Sequence, residues 1–142
     1  MQLNGTTAND VLVMDDYAHH PSEIRATLKA VRDIYPEKRL VVVYQPHRFT
    51  RTAKFAPQIA SVLGAADCAY VLPVFSAGEK EDVHGSSEEI VKLSEGKIRP
   101  ADFESLPQIL RENLRSGDLL LTMGAGDVYT LGENFLNDSK IV

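Results

Sequence analysis

Seven consecutive residues, Asp15-Asp16-Tyr17-Ala18-His19-His20-Pro21, place two carboxylates, a phenol and two imidazoles at the end of an apolar run. In a ligand pocket Asp16 would accept hydrogen bonds from hydroxyls and Tyr17 would supply a flat apolar face. A second cluster, Gln45-Pro46-His47-Arg48-Phe49-Thr50-Arg51-Thr52, carries two guanidinium groups with His47 beside them. Such groups make paired, charge-assisted hydrogen bonds to carboxylates and phosphates, which lysine cannot reproduce. On one helical turn, positions three apart share a face, so Arg48 and Arg51 could converge on one anion. Gly124-Ala125-Gly126-Asp127 is a third candidate, because its glycines let backbone approach a ligand and a helix start favours an anion.

Each cluster also has a plainer explanation. One Asp or His of the first could cap the next helix, with Pro21 at its first position. Capping accounts for one residue and leaves its polar neighbours unexplained. Arg48 and Arg51 could be solvated surface residues, and the glycines a tight turn. A metal site from His19, His20, His47, His84 and the two aspartates is disfavoured, because adjacent histidines point apart and no H-x-x-x-H or H-E-x-x-H spacing exists. Gly124 to Asp127 also fails as a dinucleotide fingerprint, since Tyr129 holds the third glycine position and too little chain follows. No G-x-x-x-x-G-K-[ST] loop is present, so a triphosphate is not cradled by that route.

These residues need elements to hold them. Val11 to Met14 reads as a strand covered on both faces, and Ile24, Leu28, Val31 and Tyr35 recur at helical spacing after Pro21. The alternation continues: strand Leu40 to Tyr44, helix through Phe55, Ile59 and Val62, strand Ala69 to Leu72. Ser86 with Glu89, and Ser105 with Gln108, are capping-box patterns that open two further helices. Ile98 to Phe103 is a weaker strand that Pro100 pushes to a sheet edge. Leu119 to Met123 is the last strong strand, and Val128, Leu131 and Phe135 carry the closing helix. Gln2 to Thr7 adds an antiparallel edge strand. The expectation is a three-layer α/β Rossmann-like domain with a mostly parallel sheet. Both charged clusters then fall on strand-to-helix turns, where such folds place ligand chemistry. The connection from Pro73 to Gly85, containing Ser76-Ala77-Gly78-Glu79, lacks periodicity and is long enough to be functional or mobile.

The bulk numbers fit one domain of 142 residues that buries a full core. The single cysteine, Cys68, cannot form an internal disulfide, which points to a reducing, cytoplasmic setting. No apolar run approaches the roughly 20 residues of a membrane span, and the start lacks a signal-peptide pattern. A net charge of −5 argues against nucleic acid as a partner.

In order, D-D-Y-A-H-H-P-S-E-I, Y-Q-P-H-R-F-T-R-T, F-S-A-G-E and G-A-G-D resemble the motifs of the C-terminal domain of the Mur ligases, over about Val11 to Leu136. That family forms amide bonds at the expense of ATP in bacterial peptidoglycan synthesis. The second motif is most similar to the branch joining L-alanine to UDP-N-acetylmuramate. A related branch that recycles a tripeptide shares the first motif but usually lacks Gln45-Pro46-His47-Arg48.

The resemblance implies a three-domain enzyme of which residues 1–142 are the last domain. The UDP-sugar domain and the central ATPase, with its phosphate loop and Mg2+, would lie outside, so the isolated domain is expected to be inactive. By motif, Asp16 would hold the ribose of ATP and Tyr17 would lie near the adenine. His19 would face the phosphates or the incoming amino acid. His47, Arg48 and Arg51 would bind the alanine carboxylate or the transferring phosphoryl group, with Gly124 and Ala125 against the substrate. The competing readings are a freestanding Rossmann-like binding module and a metal-dependent hydrolase.

Overall fold

Two runs, Leu40 to Tyr44 and Leu119 to Met123, are buried at every position, as strands covered on both faces must be. The computed structural model, which describes residues 1–81 and 85–140, places both at the centre of a six-stranded sheet. The strands are β1 (Gln2–Thr6), β2 (Leu12–Asp16), β3 (Leu40–Tyr44), β4 (Cys68–Val71), β5 (Ile98–Pro100) and β6 (Leu119–Met123), in spatial order β1-β2-β6-β3-β4-β5. All neighbours are parallel except β1, which pairs antiparallel with β2. The helices are α1 (Pro21–Ile34), α2 (Phe49–Leu63), α3 (Ser87–Leu93), α4 (Leu106–Asn113) and α5 (Tyr129–Lys140). The three-layer α/β expectation holds, including the antiparallel edge strand. No helix among the described residues is long and apolar enough to cross a membrane.

Strand alternation divides the core. Leu40, Val42 and Tyr44 with Leu119, Leu121 and Met123 pack under Ile24, Leu28, Ile59, Leu63 and Ile90 of α1, α2 and α3. Val41, Val43 and Leu120 turn the other way and meet Leu106 and Leu110 of α4, Val128 just before α5, and Leu131 within it. Because β2, β6, β3, β4 and β5 run parallel, the carboxyl ends of β2, β6, β3 and β4 open on one edge of the sheet.

Several local expectations shift. The strand expected over Val11 to Met14, now β2, runs on through Asp15 and Asp16, which pair in register with Thr122 and Met123 of β6. The two aspartates therefore face opposite sides: Asp15 accepts from Thr122 Oγ1 at 2.6 Å, and Asp16 accepts from Thr27 Oγ1 of α1 at 3.2 Å. Neither expected capping box forms. Ser86 makes no side-chain cap, and only its carbonyl accepts, from Glu89 N–H. Ser105 has helical dihedrals and Pro107 behind it has no N–H to offer, so Asp102 Oδ1 takes the Ser105 N–H at 2.7 Å instead. The box that does form opens α1. His20 Nδ1 accepts from Ser22 N–H, while Glu23 Oε1 accepts from His20 N–H at 3.0 Å.

The glycines after β6 are required by close packing. Gly124 has φ near +149°, and a Cβ there would lie 2.7 Å from the carbonyl oxygen of Gln45. At Gly126 a Cβ would meet the Gln45 amide at 2.5 Å and the Phe75 ring. Gln45 itself is buried, accepts from Val128 N–H at 3.0 Å and donates to Asp127 Oδ1 at 2.8 Å. Gly124→Ala is therefore expected to destabilise the fold by about 3 kcal/mol through backbone strain and overpacking. Urea denaturation checks this, and a midpoint equal to the parent's would mean the turn relaxes freely.

Candidate functional site

The four motifs meet at the carboxyl edge because β2, β6, β3 and β4 each end beneath one of them. Asp16 closes β2 and begins the first turn. Its Oδ1 accepts from Ala18 N–H at 2.8 Å, an Asx-type bond that turns the chain sharply. Oδ2 accepts from Thr27 Oγ1 and lies 3.1 Å from the Met1 ammonium, so both oxygens are partnered and the side chain is only 12% exposed. Tyr17 is the opposite case. It is 68% exposed, touching His19 only edge-on at 5.8 Å, and stands as an open aromatic platform.

His19 follows, with its carbonyl held by the buried Tyr44 hydroxyl at 2.9 Å. Burial pushes the Tyr44 phenol above its ordinary value, so it remains a neutral donor. His19 Nδ1 lies 3.2 Å from the Tyr17 carbonyl, and its ring approaches the His47 ring at 5.6 Å. The two charged turns are thus brought together through their histidines, across the intervening β6.

The second turn is shaped by the long connection after β4. His47 and Phe75 form a parallel bridge and their rings stack at 5.8 Å. Arg48 has φ near +67°, an uncommon conformation for a residue with a side chain. It is clamped on both sides: its N–H donates to Phe75 O at 2.8 Å, and its carbonyl accepts from Thr52 Oγ1 at 2.7 Å. Glu79 then accepts from Thr50 Oγ1 at 2.6 Å and Thr50 N–H at 3.2 Å, supplying the anion that the start of α2 favours. Those bonds, with the nearby Arg48 charge, hold the Glu79 carboxyl below its ordinary range. The expectation of a functional or mobile connection resolves, for residues 73–79, into a strap fastened to the arginine turn.

This arrangement leaves a pocket of about 500 Å³ lined by His19, His20, Arg48, Thr50, Arg51, Lys54 and Phe55. Three cations face it and no carboxylate does. Neither guanidinium makes an ion pair among the described residues, so both remain free for an oxyanion. Lys54 is a pocket residue that sequence reasoning missed, and His20, weighed there as a cap or metal ligand, also lines the pocket. Lys54 lies three residues after Arg51 on α2, and that helical spacing was the available signal. Asp16, Tyr17, His47, Gly124 and Ala125 lie outside the pocket lining, and the Val128 N–H just before α5 is already taken by Gln45. His84 lies outside the described residues. Among those described, no group of three His, Cys, Asp or Glu side chains is arranged to hold a metal ion.

His47 carries the sharpest electrostatic signature. Its Nδ1 is buried without a hydrogen-bond partner among the described residues, and burial, then His19, Arg51 and Arg48, lower its affinity for a proton. A histidine whose folded pKa is depressed resists protonation, so the unfolded chain takes up the proton first. Stability is expected to fall as pH drops from about 7.5 to about 5.5, through the ordinary imidazole range near 6.5. Urea titrations across that interval should show a shallower slope in His47→Gln. Equal slopes in both proteins would mean that His47 is protonated as readily folded as unfolded.

Residues 1–126 match the family described as Mur ligase, glutamate ligase domain. The UDP-N-acetylmuramate–L-alanine ligase of Caldanaerobacter subterraneus subsp. tengcongensis is 42% identical over 134 residues, covering 92% of this chain and 29% of the relative. The enzyme of the same name from Desulfatibacillum aliphaticivorans is 45% identical over 131 residues, covering 89% and 29%. The chain thus spans less than a third of the length of these relatives. A crystal structure of a murein peptide ligase from Psychrobacter arcticus 273-4 superposes on all of this chain and 30% of that one, with a TM-score of 0.79 at 22% identity. That likeness supports the fold alone. With the family matched across most of its length, and its four motifs gathered on one sheet edge, the chain belongs to the Mur ligase family as its C-terminal, glutamate ligase domain.

Proposed function

We propose that the chain is the C-terminal part of a ligase joining L-alanine to UDP-N-acetylmuramate. In this reading it brings amino-acid and nucleotide contacts to an active site completed by UDP-sugar-binding and ATPase domains. The observation that carries the reading is the pocket at the strand ends, where Arg48, Arg51 and Lys54 face in without a carboxylate among the lining residues. The names of relatives at 42% and 45% identity support the same substrates.

ATP, with Mg2+, would supply the phosphoryl group that activates the muramyl carboxylate for attack by the alanine amine. The roles of this chain follow from its side chains. Arg48 and Arg51 hold the alanine carboxylate or the transferring phosphoryl oxygens, which fixes the amine relative to the activated carbon. They also place positive charge where negative charge develops in the transition state. His47 lies outside the pocket lining, stacked on Phe75 and behind the His19 ring, and its resistance to protonation adds no charge beside the arginines. With its Nδ1–H directed at the Tyr17 carbonyl, His19 has an Nε2 lone pair to take a proton from the alanine ammonium, freeing the amine that attacks. Asp16 and Tyr17 meet the ribose and adenine, and Gly124 and Ala125 the substrate, at the rim. Closure of this domain over the others would exclude water from the acyl phosphate.

Two measurements on the full-length enzyme test this. Arg48→Lys keeps the charge but loses the planar fork, and a loss on the order of 2 kcal/mol in transition-state stabilisation is expected, about thirtyfold in rate. Parent kinetics in that variant would place Arg48 in solvent. Tyr17→Ala should raise the Michaelis constant for ATP, with Tyr17→Phe milder because an aromatic face needs no hydroxyl. The constant for alanine should stay flat in both. A change confined to alanine would move Tyr17 from the nucleotide to the amino acid.

A further inference from the structure

The adjacent histidines of the first turn make different hydrogen bonds, and those bonds assign them opposite tautomers. His19 Nδ1 faces the Tyr17 carbonyl, which can only accept, so that nitrogen carries the proton. His20 Nδ1 lies 3.2 Å from the backbone nitrogen of Ser22, which can only donate, so that nitrogen carries a lone pair. Ser22 Oγ, at 2.8 Å from the same atom, donates to it as well. A neutral imidazole holds one proton, and on His20 it must sit at Nε2. Its position is equally constrained. The His20 N–H is bound to Glu23 Oε1, and the ring packs edge-on against Phe55 at 4.7 Å with 68° between planes. That ring lines the same pocket as Arg48, Arg51 and Lys54.

We propose that His20 is a further binding residue of this pocket, presenting Nε2–H as a fixed donor to an oxyanion held by Arg48 and Arg51. The inference rests on the anion-binding reading of the pocket given above. Capping of α1 and ligand binding are then two ends of one ring. The cap occupies Nδ1, which forces the proton to Nε2, and the helix start anchors the donor so that nothing reorients when the anion arrives. The guanidinium groups and Lys54 contribute charge, and His20 contributes direction. Carboxylate and phosphoryl oxygens share this chemistry, and separate probes tell them apart.

The chain itself serves for the test. Long-range proton–nitrogen spectra of labelled protein should show Nε2–H on His20 and Nδ1–H on His19. Titration with inorganic phosphate, and separately with L-alanine, should move His20 Nε2 together with the Arg48 and Arg51 side chains in at least one series. The series that responds names the oxyanion. His20→Ser keeps a capping oxygen for α1 and removes the ring. It should weaken binding in that series about fivefold at unchanged Tm. If that variant fails to fold, the parent spectra decide alone. An Nδ1–H tautomer on His20 overturns the proposal. So does a response at Arg48 and Arg51 with His20 silent, or with parent affinity in His20→Ser, while leaving the anion pocket standing. Silence at all three residues in both series overturns the pocket, and this role with it.

Discussion

β6 comes last among the strands in the chain, yet it lies between β2 and β3 and pairs with both over its full length. Gly124 N–H donates to Asp16 O and Gln45 N–H to Met123 O, so both charged turns hang from this strand. Strand spacing sets the consequence: the ends of β2 and β3 are two spacings apart, roughly 10 Å. Side chains must bridge that gap, and His19 and His47 do so. The floor between them must stay low, which is why glycine stands at 124 and 126. A side chain at either position would strike Gln45, and at Gly126 also Phe75. Gln45 converts the close approach into a hydrogen-bonded seam by binding Val128 N–H and Asp127 together.

A second layer of control comes from the strap over the second turn. Phe75 stacks on His47 and accepts from Arg48 N–H, while Glu79 binds Thr50 at the start of α2. Between them they hold Arg48 in a backbone conformation that costs energy for any residue bearing a Cβ. The cost persists only because bonds on both sides of Arg48 over-determine its geometry. The same strap places an acid beside Arg48 but outside the pocket lining, so the pocket keeps its cationic face while the net charge of the chain is −5. Local arrangement, rather than net charge, sets what this edge can bind.

Sequence patterns read poorly where a cap depended on the third dimension. Ser86 and Ser105 carry capping residues at the right spacing, but neither hydroxyl caps its helix. At Ser105 the reason is local: Pro107 removes a donor and Asp102 captures the serine N–H. At α1 the reverse occurs. Histidine is not among the strongest capping residues, yet His20 serves, because Pro21 starts the helix, Glu23 completes the box and Phe55 of α2 supports the ring.

By itself the sequence determined the strand and helix order, the parallel sheet and the placing of charge at strand ends. Those follow from short-range rules, since continuous apolar runs bury on both faces and Pro21 and the helical apolar spacing need no distant partner. It also marked Asp16, Tyr17, His19, His47, Arg48 and Arg51, because their chemistry exceeds what a turn requires. Only the tertiary structure decided which of these share a pocket. The entry of β6 between β2 and β3 brought His19 within reach of His47 and admitted His20 and Lys54. It also committed the start of the closing helix to Gln45, a residue more than 80 positions away in sequence. Such contacts depend on which strand lies beside which, and no local pattern encodes that.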